Sequence, residues 1–117
     1  MENDTLNIFR NCGFEYPLLL LDSTGFPIDL DGYEFAFIIA PTQPNRTFGI
    51  PTFINTSPVV SSGAGSVTFV MLAGDTSELQ IGTAYEYRTM IQAPSNSPQV
   101  IEWGRVRVKD APQFPGD

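Results

Sequence analysis

The acidic residues Asp22, Asp29 and Asp31 are the first side chains whose type and spacing could do chemistry. Asp29-Leu30-Asp31-Gly32 matches the D-x-D-G fragment of calcium-binding loops, in which carboxylate oxygens ligate the ion. Such a loop needs a glutamate at its twelfth position, and the twelfth residue counted from Asp29 is Ala40. The sequence therefore favours a hydrogen-bonded turn over a metal site, and we expect no metal or other cofactor.

Glu34, Glu86 and Glu102 could supply the paired carboxylates that glycoside hydrolysis uses across a cleft. Each of them alternates with apolar neighbours, so the pattern places all three on the solvated face of predicted strands. Cys12 is the only cysteine, and the chain contains no histidine that could activate its thiol. We therefore expect no catalytic residue, and we expect that the protein is not an enzyme.

Trp103 together with Tyr33, Tyr85 and Tyr87 could form an aromatic platform on which a sugar ring stacks. The three tyrosines fall in the strand phase that should face the core, which favours packing over ligand binding. Core packing is also the preferred interpretation of Trp103, although this residue directly precedes a glycine at which the strand phase changes. Of the four, Trp103 is thus the strongest candidate for an exposed aromatic side chain.

The charge balance argues against several classes of partner. The chain of 117 residues has thirteen Asp and Glu against six Lys and Arg, a formal net charge of −7. Arg105, Arg107 and Lys109 form one narrow basic stripe, whereas nucleic-acid binders present a larger basic patch. Apolar runs are too short to span a bilayer, and the start of the chain lacks the pattern of a signal peptide. We expect no nucleic-acid partner and no membrane.

Two-residue alternation dominates the chain and predicts β-strands. A single antiparallel β-sandwich of about seven strands, immunoglobulin-like, accounts for their order and for the turn residues between them. One short helical turn is expected near 75–80, with Asp75 as its cap and Glu78 three residues later. The predicted strands cover residues 6–8, 14–20, 33–40, 66–71, 85–92 and 100–108, with one or two weak strands between 50 and 60.

Finer predictions concern single positions and the less regular segments. Pro17 lacks an N–H, so its strand should lie at an edge or contain a bulge. The apolar phase of the last strand shifts at Gly104, which predicts a bulge there. Residues 1–117 are expected to form one domain, in which the Pro- and Gly-rich segment 41–65 is a long arm or loop and residues 110–117 are an extended tail.

The order of these features resembles that of small β-sandwich domains of phage virions. NIFRNCGFEYPLLLLDSTGFPIDLDGYEFAFIIA, residues 7–40, is similar to their opening strand, glycine, alternating strand, corner and second alternating strand. GSVTFVMLAGDTSELQIGTAYEYRTMI, residues 65–91, resembles their central segment, and VIEWGRVRV, residues 100–108, resembles their closing strand. The corner here reads Asp31-Gly32 where those domains have Thr-Gly, and segment 41–65 is longer than theirs.

Such domains include the amino-terminal modules of baseplate upper proteins and stand-alone tail, baseplate or head-decoration proteins. The resemblance implies a structural protein of a bacteriophage virion, folded in the host cytoplasm before assembly, with no catalytic residue. Its partners would be other virion subunits of the tail, the baseplate or the capsid, and it would form a homo-oligomer in the particle. A tail or baseplate position and a capsid-decoration position are both open.

Binding would then use segment 41–65, the two termini and exposed strand edges, with Phe48, Phe53 and Phe114 as aromatic anchors. The alternative function is a carbohydrate-binding module for glycans of the host surface. That function requires an exposed Trp103 with a carboxylate, such as that of Glu102, beside it.

Overall fold

The computed structural model describes residues 5–42 and 49–110. Its strands are β1 (Leu6–Phe9), β2 (Phe14–Leu19), β3 (Glu34–Pro41), β4 (Phe53–Asn55), β5 (Val59–Ser61), β6 (Ser66–Met71), β7 (Tyr85–Gln92) and β8 (Gln99–Lys109). A 3-10 helix covers Ser62–Ala64, and the short helix α1 covers Ala73–Thr76. The structure is mostly β, as the alternation predicts.

The strands form two sheets. Sheet A has the order β1-β8-β7-β3-β4, and sheet B has the order β2-β6-β5. Sheet A is mixed, because β1 runs parallel to β8 whereas the other neighbours are antiparallel. The prediction of a wholly antiparallel arrangement is wrong for this pair. β1 and β8 are far apart in the sequence, so no tight turn forces them to run in opposite directions.

Side chains of both sheets enter one hydrophobic core. Phe37 of β3 and Tyr87 of β7 are fully buried on the inner face of sheet A. Phe69 of β6 reaches Phe37 from sheet B, with ring centroids 5.5 Å apart, and Tyr16 of β2 stacks on the same ring at 5.3 Å. Because large aromatic side chains contribute most to hydrophobic burial, these rings are the centre of the packing between the sheets.

Segment 41–65 carries the chain from one sheet to the other. β4 pairs with β3 in sheet A, and β5 pairs with β6 in sheet B. The described part of the segment therefore supplies an edge strand to each sheet. Residues 43–48 lie outside the described residues, and of the predicted tail only Asp110 lies within them.

Pro17 has no backbone N–H and lies in an edge strand, as predicted. Pro17 lies in β2, which is an edge strand of sheet B. At an edge, a residue without an N–H can be accommodated without removing a hydrogen bond from the interior of the ladder. This prediction is confirmed.

The N-cap of the helical turn lies three residues earlier than predicted. Leu72, not Asp75, is the N-cap of α1. Asp75 lies in the first turn instead, where its Oδ2 accepts a hydrogen bond of 2.8 Å from the backbone N–H of Leu72. This is the role that an acidic residue has at the third position of a capping box. Asp75 therefore lies three residues after the cap instead of at the cap. Glu78 is exposed and lies beyond the helix.

Candidate functional site: the outer face of sheet A

The irregular pairing of β7 with β8 decides which side chains reach the outer face of sheet A. The bulge expected at Gly104 is absent, since Gly104 is buried and regularly paired. The register shifts instead between Thr89 and Met90, which leaves Ile101 as the extra residue on β8. Trp103 follows this extra residue in β8, and its side chain therefore lies on the side of the strand that faces away from the core.

Trp103 is 41% exposed, so the prediction that it packs in the core is wrong. It lies directly opposite Arg88 of β7 in the antiparallel register. Arg105 and Arg107 follow Trp103 at two-residue intervals, and both are exposed. Since side chains two residues apart lie on one face of a strand, a tryptophan and three arginines share this part of sheet A.

An open groove of about 850 Å³ follows the outer side of β7 and β8. We call it the basic groove. The residues that line it include Thr42, Thr83, Glu86, Arg88, Val100, Trp103, Arg105 and Arg107. Counting Lys109, which continues the same phase of β8, four of the six Lys and Arg residues lie on the outer side of these two strands. The groove is thus a cationic region on a chain whose net charge is −7.

Apolar side chains continue the outer face beside the basic groove. Ile54 of β4 pairs with Ile38 of β3, and Ile38 pairs with Arg88. Ile54 is 55% exposed, and Ile38 and Met90 are half-buried. A row of apolar side chains therefore crosses the sheet toward Arg88 and Trp103.

Glu102 faces the opposite way from Trp103. It pairs with the buried Thr89, and its Oε1 accepts a hydrogen bond of 3.0 Å from the hydroxyl of Tyr16 in sheet B. The prediction that Glu102 lies on the solvated face is wrong, because Ile101 shifts the phase of the strand. Glu86 is the carboxylate that lines the basic groove together with Trp103, and it pairs with Arg105, whereas Glu34 is exposed at the start of β3.

The tyrosines behave as their strand phase predicts. Tyr85 and Tyr87 are buried, and Tyr33 is half-buried and stacks on Phe35 with ring centroids 6.4 Å apart. The hydroxyl of Tyr85 accepts a hydrogen bond of 2.9 Å from the backbone N–H of Gln80. These rings belong to the core rather than to a sugar-stacking platform.

The connection between β2 and β3, residues 20–33, forms a second distinctive surface that we call the corner loop. Asp22 Oδ1 accepts hydrogen bonds from the Thr24 hydroxyl at 2.6 Å, from the Thr24 N–H at 2.9 Å and from the Phe26 N–H at 3.1 Å. These donors, the Thr24 hydroxyl first, lower the pKa of Asp22 from its ordinary value. Gly25 has a φ of 89°, as this turn requires.

Asp29 in the corner loop forms the turn that the sequence predicts. Its Oδ1 accepts a hydrogen bond of 3.1 Å from the N–H of Asp31. Asp22, Asp29 and Asp31 are all exposed, and Phe26 of the same loop is 68% exposed. The corner loop therefore presents carboxylates together with one exposed aromatic ring.

Of the three predicted anchor residues, the structure describes one. Phe53 is half-buried and packs edge-on against Phe37, with ring centroids 6.2 Å apart. Phe48 and Phe114 lie outside the described residues. Cys12 is a half-buried free cysteine whose carbonyl oxygen accepts a hydrogen bond of 2.8 Å from the Thr76 hydroxyl.

The sequence contained a partial signal for the basic groove and none for its shape. The alternation of Arg105, Arg107 and Lys109 placed three cations on one side of a strand. Arg88 joins them only through the pairing of β7 with β8, which depends on long-range register. No pattern in the sequence predicts the exposure of Phe26, whose neighbours Ile28 and Leu30 pack into the core.

No protein-family model matches the sequence, and comparison with curated proteins finds no significant similarity. Within residues 5–42 and 49–110, no helix is long and apolar enough to cross a membrane. In the same part of the chain, no three acidic or cysteine side chains come together where they could hold a metal ion. Function is therefore inferred from the sequence and the surface of this chain.

Proposed function

We propose that this protein is a structural protein of a bacteriophage virion that acts as an assembly module through protein–protein contacts. Two lines of support meet in this proposal. The sequence resembles small β-sandwich domains of phage virions over residues 7–40, 65–91 and 100–108. The outer face of sheet A combines apolar side chains, a tryptophan and arginines, which is the composition of a protein-binding surface.

An immunoglobulin-like β-sandwich is the architecture that we propose for the module. Its support is that the inner faces of sheets A and B both contribute to one core, with Phe37 of sheet A and Phe69 of sheet B in contact. Aligned packing of two sheets around such a core is the defining feature of that architecture. The parallel pairing of β1 with β8 is a variation at one edge of sheet A.

The observation that carries the proposal is the exposure of Ile54 and Trp103 on one continuous face. Ile54 is 55% and Trp103 41% exposed, and Ile38 and Arg88 connect them across the strands. Tryptophan and arginine are among the residues that contribute most to binding when an interface buries them. A partner subunit that covers this face would remove the apolar side chains from water.

The test of this proposal uses purified particles from the phage whose genome encodes the chain. Detection of the protein in the particles by mass spectrometry is the first expected result. Ile54→Asp and Trp103→Ala are expected to reduce its incorporation roughly tenfold or more, since each removes a central apolar contact. Leu72→Asp is the matched control, because Leu72 is 68% exposed at the N-cap of α1, away from sheet A.

Two results would overturn the proposal. One is the absence of the chain from purified particles. The other is normal incorporation of both outer-face variants, provided that they fold with the same thermal stability as the control. A particle reconstruction at modest resolution would assign the protein to the tail, the baseplate or the capsid surface.

Carbohydrate binding is the second candidate, and the exposure of Trp103 in an open groove favours it. Exposed tryptophan rings beside polar and charged groups are suited to stacking on sugars, and Glu86 and Arg88 lie in the same groove. The carboxylate is that of Glu86 instead of the expected Glu102. Binding of the wild-type chain on an array of bacterial surface glycans, lost in Trp103→Ala, would support this function, and no binding would exclude the glycans tested.

A further inference from the structure

We propose that the corner loop of one copy docks into the basic groove of a second copy and joins the copies head to tail. This inference rests on the proposed function, because it specifies how an assembly module would form its homo-oligomer. It follows from the charge, the shape and the exposed aromatic side chains of two surfaces on the same chain.

The basic groove has the properties of a receptor for an acidic, aromatic segment. Arg88, Trp103, Arg105 and Arg107 all contribute to its lining. Arginine binds carboxylates through two parallel hydrogen bonds and stacks on aromatic rings, so one groove can recognise both kinds of group. Glu86 is the carboxylate among its lining residues, and it pairs with Arg105 across the strands.

The corner loop has the complementary properties. It carries exposed carboxylates at Asp29 and Asp31 and an exposed phenyl ring at Phe26. Hydrogen bonds to Asp22 and Asp29 already hold its two turns in the free chain. A loop that is ordered before binding loses less conformational entropy when it docks, which favours association.

The corner loop and Arg105 of the basic groove are separated along the strands of sheet A. The corner loop enters β3 at Glu34, whereas Ala40 of β3 is aligned through Glu86 with Arg105. Six residues of strand separate these positions, or about 20 Å at ~3.3 Å per residue. In the head-to-tail arrangement that we propose, the loop of each copy docks in the groove of the next copy, so the contact is heterologous, and such contacts produce rings when the rotation closes and filaments when it does not.

The net charge of −7 opposes association at long range, but salt weakens this repulsion. At physiological ionic strength, charges further apart than about 8 Å are largely screened. Contacts between arginines and carboxylates within the docked surface are shorter than this distance, so salt screens their attraction less. Salt above the physiological range still weakens that attraction, and association should therefore weaken as salt is raised further.

The test is sedimentation velocity of the full chain, of three variants and of one control variant, from micromolar to millimolar concentration. Arg105→Glu with Arg107→Glu reverses the groove charge. Asp31→Lys with Asp29→Asn, the loop-reversed variant, changes the summed charge of these two positions from −2 to +1 and keeps an acceptor for the backbone N–H of residue 31. Phe26→Ser removes the aromatic contact, and Leu72→Ser is its control because both side chains are 68% exposed.

We expect the wild type and Leu72→Ser to self-associate, and each of the other variants to associate roughly tenfold more weakly or worse. The decisive result is from the mixture: the groove-reversed and loop-reversed variants should bind each other, because glutamates then face a lysine. A wild type that stays monomeric throughout overturns the inference. So does a mixture that fails to associate, including the case in which the wild-type groove instead binds heparin or single-stranded DNA.

This experiment separates the inference from the proposed function. If the wild type is monomeric in solution but is found in purified particles, the head-to-tail contact is wrong and the virion role stands. If the chain self-associates as expected but is absent from particles, the contact stands and the virion role is wrong.

Discussion

The hydroxyl of Tyr16 in sheet B donates a hydrogen bond of 3.0 Å to Oε1 of Glu102 in sheet A. This bond joins the two sheets beside the aromatic core, where the Tyr16 ring stacks on Phe37 at 5.3 Å. It also accompanies the inward orientation of Glu102, which places the next residue, Trp103, on the outer face. One polar contact between the sheets is therefore linked to the composition of the candidate binding surface.

Tyr16→Phe tests the contribution of this bond to stability. The variant keeps the aromatic ring and leaves the carboxylate of Glu102 without this donor, so we expect the free energy of unfolding to fall by about 1–2 kcal/mol. Urea unfolding followed by circular dichroism measures the change. Tyr33→Phe removes the same hydroxyl from another half-buried tyrosine and is expected to change stability by less than ~0.5 kcal/mol. Equal effects of the two substitutions would contradict the role of the bond.

Phe37→Ala tests the position of the core. Phe37 is fully buried and its ring contacts those of Tyr16, Phe69 and Tyr87 from both sheets. Removing it should leave a cavity and lower the free energy of unfolding by about 3–5 kcal/mol. Phe26→Ala is the matched control, since the same side chain is 68% exposed there. A loss below ~1 kcal/mol at Phe37 would place the core elsewhere.

Gly65→Ala tests the connection between the 3-10 helix and β6. Gly65 has a φ of 64°, and a Cβ added there would collide with the carbonyl oxygen of Leu20. Because that contact is with backbone, we expect a loss of about 2 kcal/mol or more in the free energy of unfolding. Gly63→Ala, where an added Cβ meets nothing within 4 Å, should be close to neutral. A stable Gly65→Ala variant, measured by thermal unfolding, would be inconsistent with this backbone geometry.

Asp22→Ala tests the turn of the corner loop through its pH dependence. The Thr24 hydroxyl and the N–H groups of Thr24 and Phe26 lower the pKa of Asp22 below its ordinary value of 3.8. A carboxyl whose folded pKa is lowered stabilises the fold above its unfolded pKa and loses that contribution as the pH falls through the folded value. The variant should thus have a lower Tm than the wild type at neutral pH.

The difference in Tm between Asp22→Ala and the wild type should shrink as the pH is lowered below 3.8. Thermal unfolding followed by circular dichroism across this range measures it. A constant difference from neutral to acidic pH would mean that ionisation of Asp22 does not stabilise the turn.

Local patterns made most of the strands predictable from the sequence. The alternation around Phe37 and Tyr87 identified the inner faces of β3 and β7, because one side of each strand is apolar. Pro17 indicated an edge and Gly25 indicated a turn, because each restricts the backbone at its own position. These signals depend on neighbouring residues only.

Features that depend on pairing between distant strands could not be predicted in the same way. The parallel pairing of β1 with β8 joins the first and last strands that the structure describes, and no local pattern encodes its direction. The phase change in β8 was visible, but either Ile101 or Gly104 could absorb it, and glycine was the wrong choice. The wrong prediction for Trp103 followed from placing the bulge at Gly104. That Arg88 lies beside the arginines of β8 depends on the register between β7 and β8, which the sequence does not give.

Oxidative footprinting of Trp103 with hydroxyl radicals, in the isolated chain and in intact particles, tests the proposed binding surface most directly. Trp103 is 41% exposed in the isolated chain, so it should be oxidised there. If a subunit covers the outer face of sheet A, oxidation of Trp103 should fall by roughly tenfold in the particle, whereas Leu72 should change little. Equal oxidation of Trp103 in both samples would contradict the assignment of this face as the assembly surface.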